Sequence, residues 1–125
     1  MPREAFSSDR IAPPVGPFSP GVRVGEFLFL SGQVALSPTT GRLIDGDVAA
    51  QTEQVLQNLR TLLAAAGKSL ADVARVNVYL TDIKDFGAMN AVYARYFEAP
   101  YPARTTVAVA GLPLGAAVEI DLIAR

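Results

Sequence analysis

The segment from residue 48 to residue 66 constrains the fold of this chain more than any other. Its aliphatic side chains recur at helical spacing, while amides and an arginine fall on the opposite side. Asp47 stands at the position of an N-cap, and Gly67 stands where a left-handed residue commonly ends a helix. An amphipathic helix of this length has one face to bury, so we expect it to pack against a sheet.

Strand-like segments precede and follow this helix. Two apolar runs, residues 22–24 and 27–30, flank Gly25-Glu26, a pattern typical of a β-hairpin with a two-residue turn. After the helix, residues 76–80 alternate between aliphatic and polar side chains, as a half-buried strand does. These segments predict the sheet that the helix covers.

The C-terminal part of the chain predicts a second helix and two more strands. This helix begins near Asp85, presents an aromatic face and ends before Pro100. Residues 104–110 and 118–124 then alternate as strands on either side of a short loop, which favours a second antiparallel hairpin. The resulting order, ββαβαββ, predicts an α+β fold in which a mixed sheet carries both helices on one face.

Length and composition indicate one domain that associates with further copies of itself. The 125 residues are near the usual size of a single domain, here 1–125. Apolar residues make up 50% of the chain and charged residues only 18%, which leaves apolar surface to hide. Because no apolar run approaches the ~20 residues of a membrane span, we expect other subunits to cover the sheet face away from the helices.

Charge and missing residue types argue against several classes of function. The formal charge is −1 and no basic block occurs, so no nucleic-acid partner is expected. The chain has no Cys and no His, which excludes a thiolate nucleophile and argues against a metal centre. The first six residues lack the apolar core of a secretory signal, so the expected location is the cytoplasm, with no membrane partner.

Three polar residues interrupt the apolar pattern and are candidates for a functional site: Arg104, Glu119 and Asn90. Each also has a purely structural interpretation. The arginine suits an edge strand that faces solvent or a surface carboxylate, and the glutamate suits a solvated sheet face. The asparagine suits a buried amide that holds a loop. Spacing alone does not decide between these interpretations.

The predicted C-terminal hairpin relates Arg104 to Glu119. If Ala110 lies opposite Ala117, Glu119 lies opposite Ala108, on the same sheet face as Arg104 and roughly 13 Å from it along the strand. Two long side chains reaching into that gap could hold a small anion. The two residues need not come from the same subunit.

Several segments resemble one known family. Residues 102–112, followed by Val118-Glu119-Ile120, are similar to the signature of the Rid (YjgF) family of reactive-intermediate deaminases. Further family-like features occur at residues 16–20, 31–33, 64–67 and 85–86 and at Asn90. The resemblance implies a homotrimer of chorismate-mutase-like subunits with sites in the clefts between them.

The resemblance also implies an activity that needs no cofactor. Members with deaminase activity hydrolyse small 2-imino and 2-enamino acids, such as 2-aminoacrylate and 2-iminobutanoate, to 2-keto acids and ammonia. Position by position, the family's carboxylate-binding arginine corresponds to Arg104 and its water-activating carboxylate to Glu119. A planar guanidinium suits this role because it can hold a carboxylate bidentately.

Four further positions complete the site that the resemblance implies. Gly32 and Thr106 would line the pocket with backbone N–H groups, while Asn90 and Phe18 would belong to its wall. Many deaminating members have Tyr and Cys where this chain has Phe18 and Thr106. The missing phenol removes a hydrogen-bond donor, so these two positions bear on substrate range and rate.

Three alternatives stand beside a 2-iminobutanoate-type deaminase. The altered wall could suit a larger substrate such as 2-aminomuconate, which a screen of products would reveal. A non-enzymatic trimer could bind small carboxylates through Arg104 without turnover. RNA cleavage, also attributed to relatives, fits poorly because the chain has no His and no basic patch.

Overall fold

The computed structural model describes residues 2–125, which form one mixed sheet with helices on one side. The strands, in chain order, are β1 (Glu4–Phe6), β2 (Gly21–Val24), β3 (Phe27–Gln33), β4 (Val73–Leu80), β5 (Ala103–Ala108) and β6 (Val118–Ala124). They lie in the order β1-β2-β3-β6-β4-β5. The helices are α1 (Val48–Ala65) and α2 (Phe86–Tyr93). The predicted α+β class is confirmed.

Helix α1 forms as its sequence predicts. The Ala50 N–H donates to the Asp47 carboxylate at 3.0 Å, and Gly67 adopts the left-handed conformation with φ 75°. Its buried face belongs to the same core as the inward residues of β3, β4 and β6. None of the helices within residues 2–125 is long and apolar enough to cross a membrane.

Helix α2 is shorter than its aromatic pattern predicts. It ends at Tyr93, and tighter turns carry the chain on to Phe97, whose ring stacks on that of Tyr93 with centroids 4.5 Å apart. The Tyr96 hydroxyl donates to the Glu53 carboxylate of α1. These contacts continue the aromatic face beyond the regular helix and fasten it to α1.

The first hairpin is confirmed, and one strand was missed. Strands β2 and β3 pair in antiparallel register around Gly25, which has φ 59°. Strand β1 pairs with β2 and adds an edge strand to the predicted set. Its three residues, Glu4–Phe6, are too few to show an alternation that sequence analysis can detect.

The predicted C-terminal hairpin is wrong. Strand β5 instead runs parallel to β4 at the sheet edge, with Val76 opposite Arg104. Strand β6 inserts between β3 and β4, antiparallel to both, with Tyr79 opposite Glu119. All four inward side chains of β6 are buried, so a central position with two neighbours hides more apolar surface than an edge position does.

Candidate active site

Arg104 and Glu119 lie on opposite faces of the sheet. Arg104 is in register with Val76, whose side chain is buried in the core beneath the helices. Glu119 alternates with the buried Val118 and Ile120, so its side chain is on the other face. The prediction that both residues share a face is wrong because it rested on the hairpin register.

On the helix side, Arg104 is held over aromatic rings. Its guanidinium carbon is 4.6 Å from the ring centroid of Tyr93 and 5.7 Å from that of Phe86. No carboxylate in the described chain forms an ion pair with it. Arg104, Asn90 and Tyr93 line a cavity of about 350 Å³ together with Tyr101. A cation without a counterion at the wall of a cavity is suited to hold an anion.

Polar atoms near Arg104 lack hydrogen-bond partners. They are Asn90 Oδ1, the Tyr93 hydroxyl and Thr106 Oγ1, the only buried side-chain atoms of this kind within residues 2–125. Thr106 is in register with the buried Val78 and so shares the sheet face of Arg104. Asn90 Oδ1 accepts no hydrogen bond, so it does not support the interpretation of this residue as an amide bonded to nearby backbone.

Tyr93 lines this cavity although nothing in the sequence marked it as a site residue. It follows Asn90 at helical spacing, but an aromatic residue on an apolar helix face is indistinguishable from core by pattern alone. The one available signal was its distance of three residues from Asn90, because residues three apart on a helix are neighbours and can line the same site.

On the other face, Glu119 lies beside Gly32 at a second cavity. This cavity has a volume of about 310 Å³ and is lined by both residues, by Phe18 and by an apolar rim that includes Val15 and Leu114. A β-carbon at position 32 would overlap the Glu119 carboxylate. The register of β3 against β6 shifts between Leu30 and Gln33, at the segment that contains this glycine.

The environment of Glu119 makes its carboxylate more basic. Partial burial raises the pKa of Glu119 above its ordinary value, and the negative charge of Asp121 on the same strand face raises it further. Asp121 is fixed by Asn77, whose side-chain Nδ2 donates to it at 2.9 Å. A carboxylate with a raised pKa is a better proton acceptor than an exposed one.

Hydrogen bonds hold the proline-rich loop that precedes β2, residues 12–20, against β3. The Ser31 hydroxyl donates to the Ser19 carbonyl at 2.7 Å, and the Ser31 N–H donates to the Pro20 carbonyl at 2.9 Å. Phe18 is 45% exposed on this loop and presents its ring to the cavity without a phenolic hydroxyl. The part of the wall that Phe18 forms is therefore apolar.

A family assignment follows from comparison with known proteins. The sequence profile described as endoribonuclease L-PSP matches residues 9–125. The chain belongs to the Rid (YjgF) family. The resemblance seen in residues 102–112 and 118–120 is thereby confirmed.

Individual Rid relatives match over nearly the whole chain. A RutC family protein of Pyrococcus horikoshii is 45% identical over 122 residues, which are 98% of this chain and 97% of the relative. The 2-iminobutanoate/2-iminopropanoate deaminase of Mus musculus is 40% identical over 122 residues, covering 98% of this chain and 90% of the relative. The crystal structure of E. coli TdcF with bound serine has a TM-score of 0.92 at 37% identity and covers 97% of both chains.

The six site residues that the Rid resemblance implies fall into two groups. Phe18, Gly32 and Glu119 line one cavity, which we call the glutamate half-site. Asn90 and Arg104 line the other, which we call the arginine half-site, and Thr106 shares its sheet face. A single protomer does not bring the two half-sites together.

Proposed function

We propose that this Rid protein is a cofactor-free deaminase that hydrolyses small 2-imino and 2-enamino acids to 2-keto acids and ammonia. We further propose that it acts as a homotrimer, with each site assembled from the arginine half-site of one subunit and the glutamate half-site of another. The observation that carries this proposal is the separation of Arg104 from Glu119 by the sheet. The cavity of the arginine half-site has a cation that can bind a carboxylate but has no general base. The cavity of the glutamate half-site has the base but no cation.

An uncovered apolar surface supports assembly between subunits. Phe27, Phe29 and Val107 are 44%, 43% and 41% exposed. All three lie on the sheet face that carries Glu119, because Phe29 pairs with Ile123 and Val107 with Tyr79. A second copy packed on this face would hide these side chains. Arg104 lies on the edge strand β5, where a neighbouring subunit can reach it.

Substrate binding follows from the chemistry of the arginine half-site. A 2-imino acid has a carboxylate next to its reacting carbon, and the Arg104 guanidinium can take that carboxylate bidentately. A hydrogen bond to a charged group contributes roughly 1.5–3 kcal/mol. The stack on Tyr93 limits the orientations of the guanidinium and so fixes the imine carbon relative to the second half-site.

Hydrolysis then needs one general base. The substrate reacts as the protonated imine: Glu119 accepts a proton from water while the water oxygen adds to the imine carbon, which gives a neutral tetrahedral carbinolamine. Glu119 then passes this proton to the nitrogen. The C–N bond breaks with its electron pair on nitrogen, ammonia leaves, and the hydroxyl proton returns to Glu119 as the carbonyl forms. The raised pKa of Glu119 favours the first of these transfers, in which the carboxylate takes the proton from water.

The names of relatives support the same substrate class. The mouse relative is a 2-iminobutanoate/2-iminopropanoate deaminase, and the TdcF structure contains serine, an amino acid with the same α-carboxylate. The family description also names an endoribonuclease. A chain with net charge −1 and no His offers little to hold or cleave a phosphodiester.

A coupled assay tests the proposal. Threonine dehydratase generates 2-iminobutanoate in situ, semicarbazide traps it competitively, and formation of 2-oxobutanoate is followed with and without the protein. The wild type is expected to accelerate keto-acid formation and suppress the semicarbazone, Glu119→Gln to do neither, and Glu4→Gln, an exposed control, to match the wild type. Ligand binding without turnover would favour a carboxylate-binding trimer instead, and turnover of 2-aminomuconate alone would favour the larger substrate.

A further inference from the structure

Two neighbouring tyrosines differ in what their hydroxyl groups contact. Tyr96 donates its hydroxyl to the Glu53 carboxylate, which fastens the end of the α2 segment to α1. Tyr93 is only 6% exposed, yet its hydroxyl hydrogen meets no acceptor, because the polar group beside it is the Arg104 guanidinium, which can only donate. A buried hydroxyl without a partner destabilises the fold, so its retention calls for an explanation outside the folded chain itself.

The position of Tyr93 points to a ligand. Its ring stacks on that of Phe97 with centroids 4.5 Å apart, and the Arg104 guanidinium carbon lies over it at 4.6 Å from the centroid. Tyr93 also lines the cavity of the arginine half-site. Of the other two buried atoms without partners, Asn90 Oδ1 belongs to a residue of the same cavity, and Thr106 Oγ1 lies two residues after Arg104 on the same strand face. Unsatisfied polar atoms are therefore concentrated around the one cation expected to hold substrate.

The donor and acceptor balance suits a carboxylate. Two carboxylate oxygens offer about four lone-pair positions, of which a bidentate arginine uses two. The hydroxyls of Tyr93 and Thr106 can each donate to a remaining position. Burial raises the pKa of Tyr93. The Arg104 charge and its hydrogen-bond contact with the phenolic oxygen oppose this, but the net shift keeps the phenol protonated and able to donate.

We propose that Tyr93 is a further substrate-binding residue, whose hydroxyl donates to the carboxylate that Arg104 holds, with Thr106 as a second donor. This rests on the proposed function for the identity of the ligand as a small 2-imino acid or its 2-keto product. It assigns to Tyr93 two tasks: the ring supports the guanidinium and the hydroxyl recognises the ligand.

This role predicts opposite effects on stability and binding. Tyr93→Phe keeps the ring and removes a hydroxyl whose hydrogen has no acceptor in the unliganded fold. Its melting temperature is expected to equal or exceed that of the wild type, while its Kd for 2-oxobutanoate rises roughly threefold to tenfold. Tyr96→Phe is the matched control, with a lower melting temperature because its hydroxyl is bonded, and an unchanged Kd.

Titration calorimetry with 2-oxobutanoate and thermal unfolding of the two variants provide the test. A Tyr93→Phe protein that binds 2-oxobutanoate as tightly as the wild type would overturn the proposal, as would a lower melting temperature with unchanged Kd. Should Tyr93→Phe fail to fold, Thr106→Val removes the second donor at nearly constant volume and is expected to raise the Kd in the same way. An unchanged Kd in that variant would equally count against the carboxylate contact.

The same measurements separate this inference from the proposed function. Wild-type deamination together with an unchanged Kd in Tyr93→Phe would overturn only the role of Tyr93. Absence of deamination by the wild type, with 2-oxobutanoate binding that still depends on the Tyr93 hydroxyl, would overturn only the deaminase activity.

Discussion

The carboxylate of Glu119 occupies the space that a side chain at position 32 would fill. Glu119 can therefore keep this position only while residue 32 is a glycine. The atoms that a β-carbon would meet belong to the end of the glutamate side chain. A substitution at position 32 therefore displaces the carboxylate and leaves the backbone of β3 in place.

Gly32→Ala is expected to fold normally and to lose at least tenfold in deaminase turnover, because the displaced Glu119 no longer faces the imine carbon. Gly87→Ala is the matched control: nothing lies within 4 Å of a β-carbon there, and alanine in a helix contributes about 0.5–1 kcal/mol relative to glycine. Turnover and chemical denaturation of both variants check this. Full activity in Gly32→Ala would mean that Glu119 need not occupy its observed position.

Arg104→Lys is expected to leave the fold and assembly intact and to lower turnover at least tenfold, which corresponds to roughly 1.4 kcal/mol of transition-state binding. Lysine offers a point charge on a flexible stem, without a plane to stack on Tyr93 or a fork to hold a carboxylate. Arg42→Lys, in an exposed turn, should match the wild type. Unchanged turnover in Arg104→Lys would reject this residue as the carboxylate clamp.

Phe18→Tyr is expected to keep the fold and to change rate or substrate preference modestly. The ring is 45% exposed at the wall of the glutamate half-site, so a hydroxyl adds one hydrogen bond worth about 0.5–1.5 kcal/mol net. Competition between imines of different side chain in the semicarbazide assay measures the change. A complete loss of activity would instead indicate a wall too tight for one additional oxygen.

The acidic limb of the pH profile should belong to Glu119. Its base form is the deprotonated one, so kcat/KM falls as pH decreases through the raised pKa. Burial by the surrounding protein raises this pKa most, and the charge of Asp121 raises it further. Tyr79, opposite Glu119 on β4, has a raised pKa of its own and stays neutral in this pH range. Asp121→Asn removes one negative charge and should move the limb to lower pH. A limb that stays in place or moves up would contradict this assignment.

Local sequence signals predicted the elements, and non-local pairing decided where the site residues lie. Helix α1 followed from its period between Asp47 and Gly67, and the first hairpin followed from Gly25, because both depend on neighbours in the chain. The insertion of β6 between β3 and β4 joins strands far apart in sequence, and no local pattern encodes it. The expected shared face of Arg104 and Glu119 failed for this reason.

The candidate site was predictable by residue type more than by arrangement. Arg104 and Glu119 stood out as charges in apolar strands, and the resemblance supplied their roles. Tyr93 did not stand out in the sequence, because its spacing is that of a core aromatic residue. Only its buried hydroxyl, whose hydrogen has no acceptor, distinguishes it from one. The division of the site into two half-sites follows from the register of β5 and β6 against β4, which the sequence did not reveal.

Subunit complementation tests most directly whether sites form between subunits. Arg104→Lys and Glu119→Gln chains carrying different tags are co-expressed, doubly purified, and sized by light scattering at micromolar concentration. Every mixed trimer then has one interface in which an intact Arg104 meets an intact Glu119, so about a third of wild-type deaminase activity is expected although each parent variant is nearly inactive. Mixed trimers no more active than the two parents, or a protein that is monomeric and active in solution, would contradict a site shared between subunits.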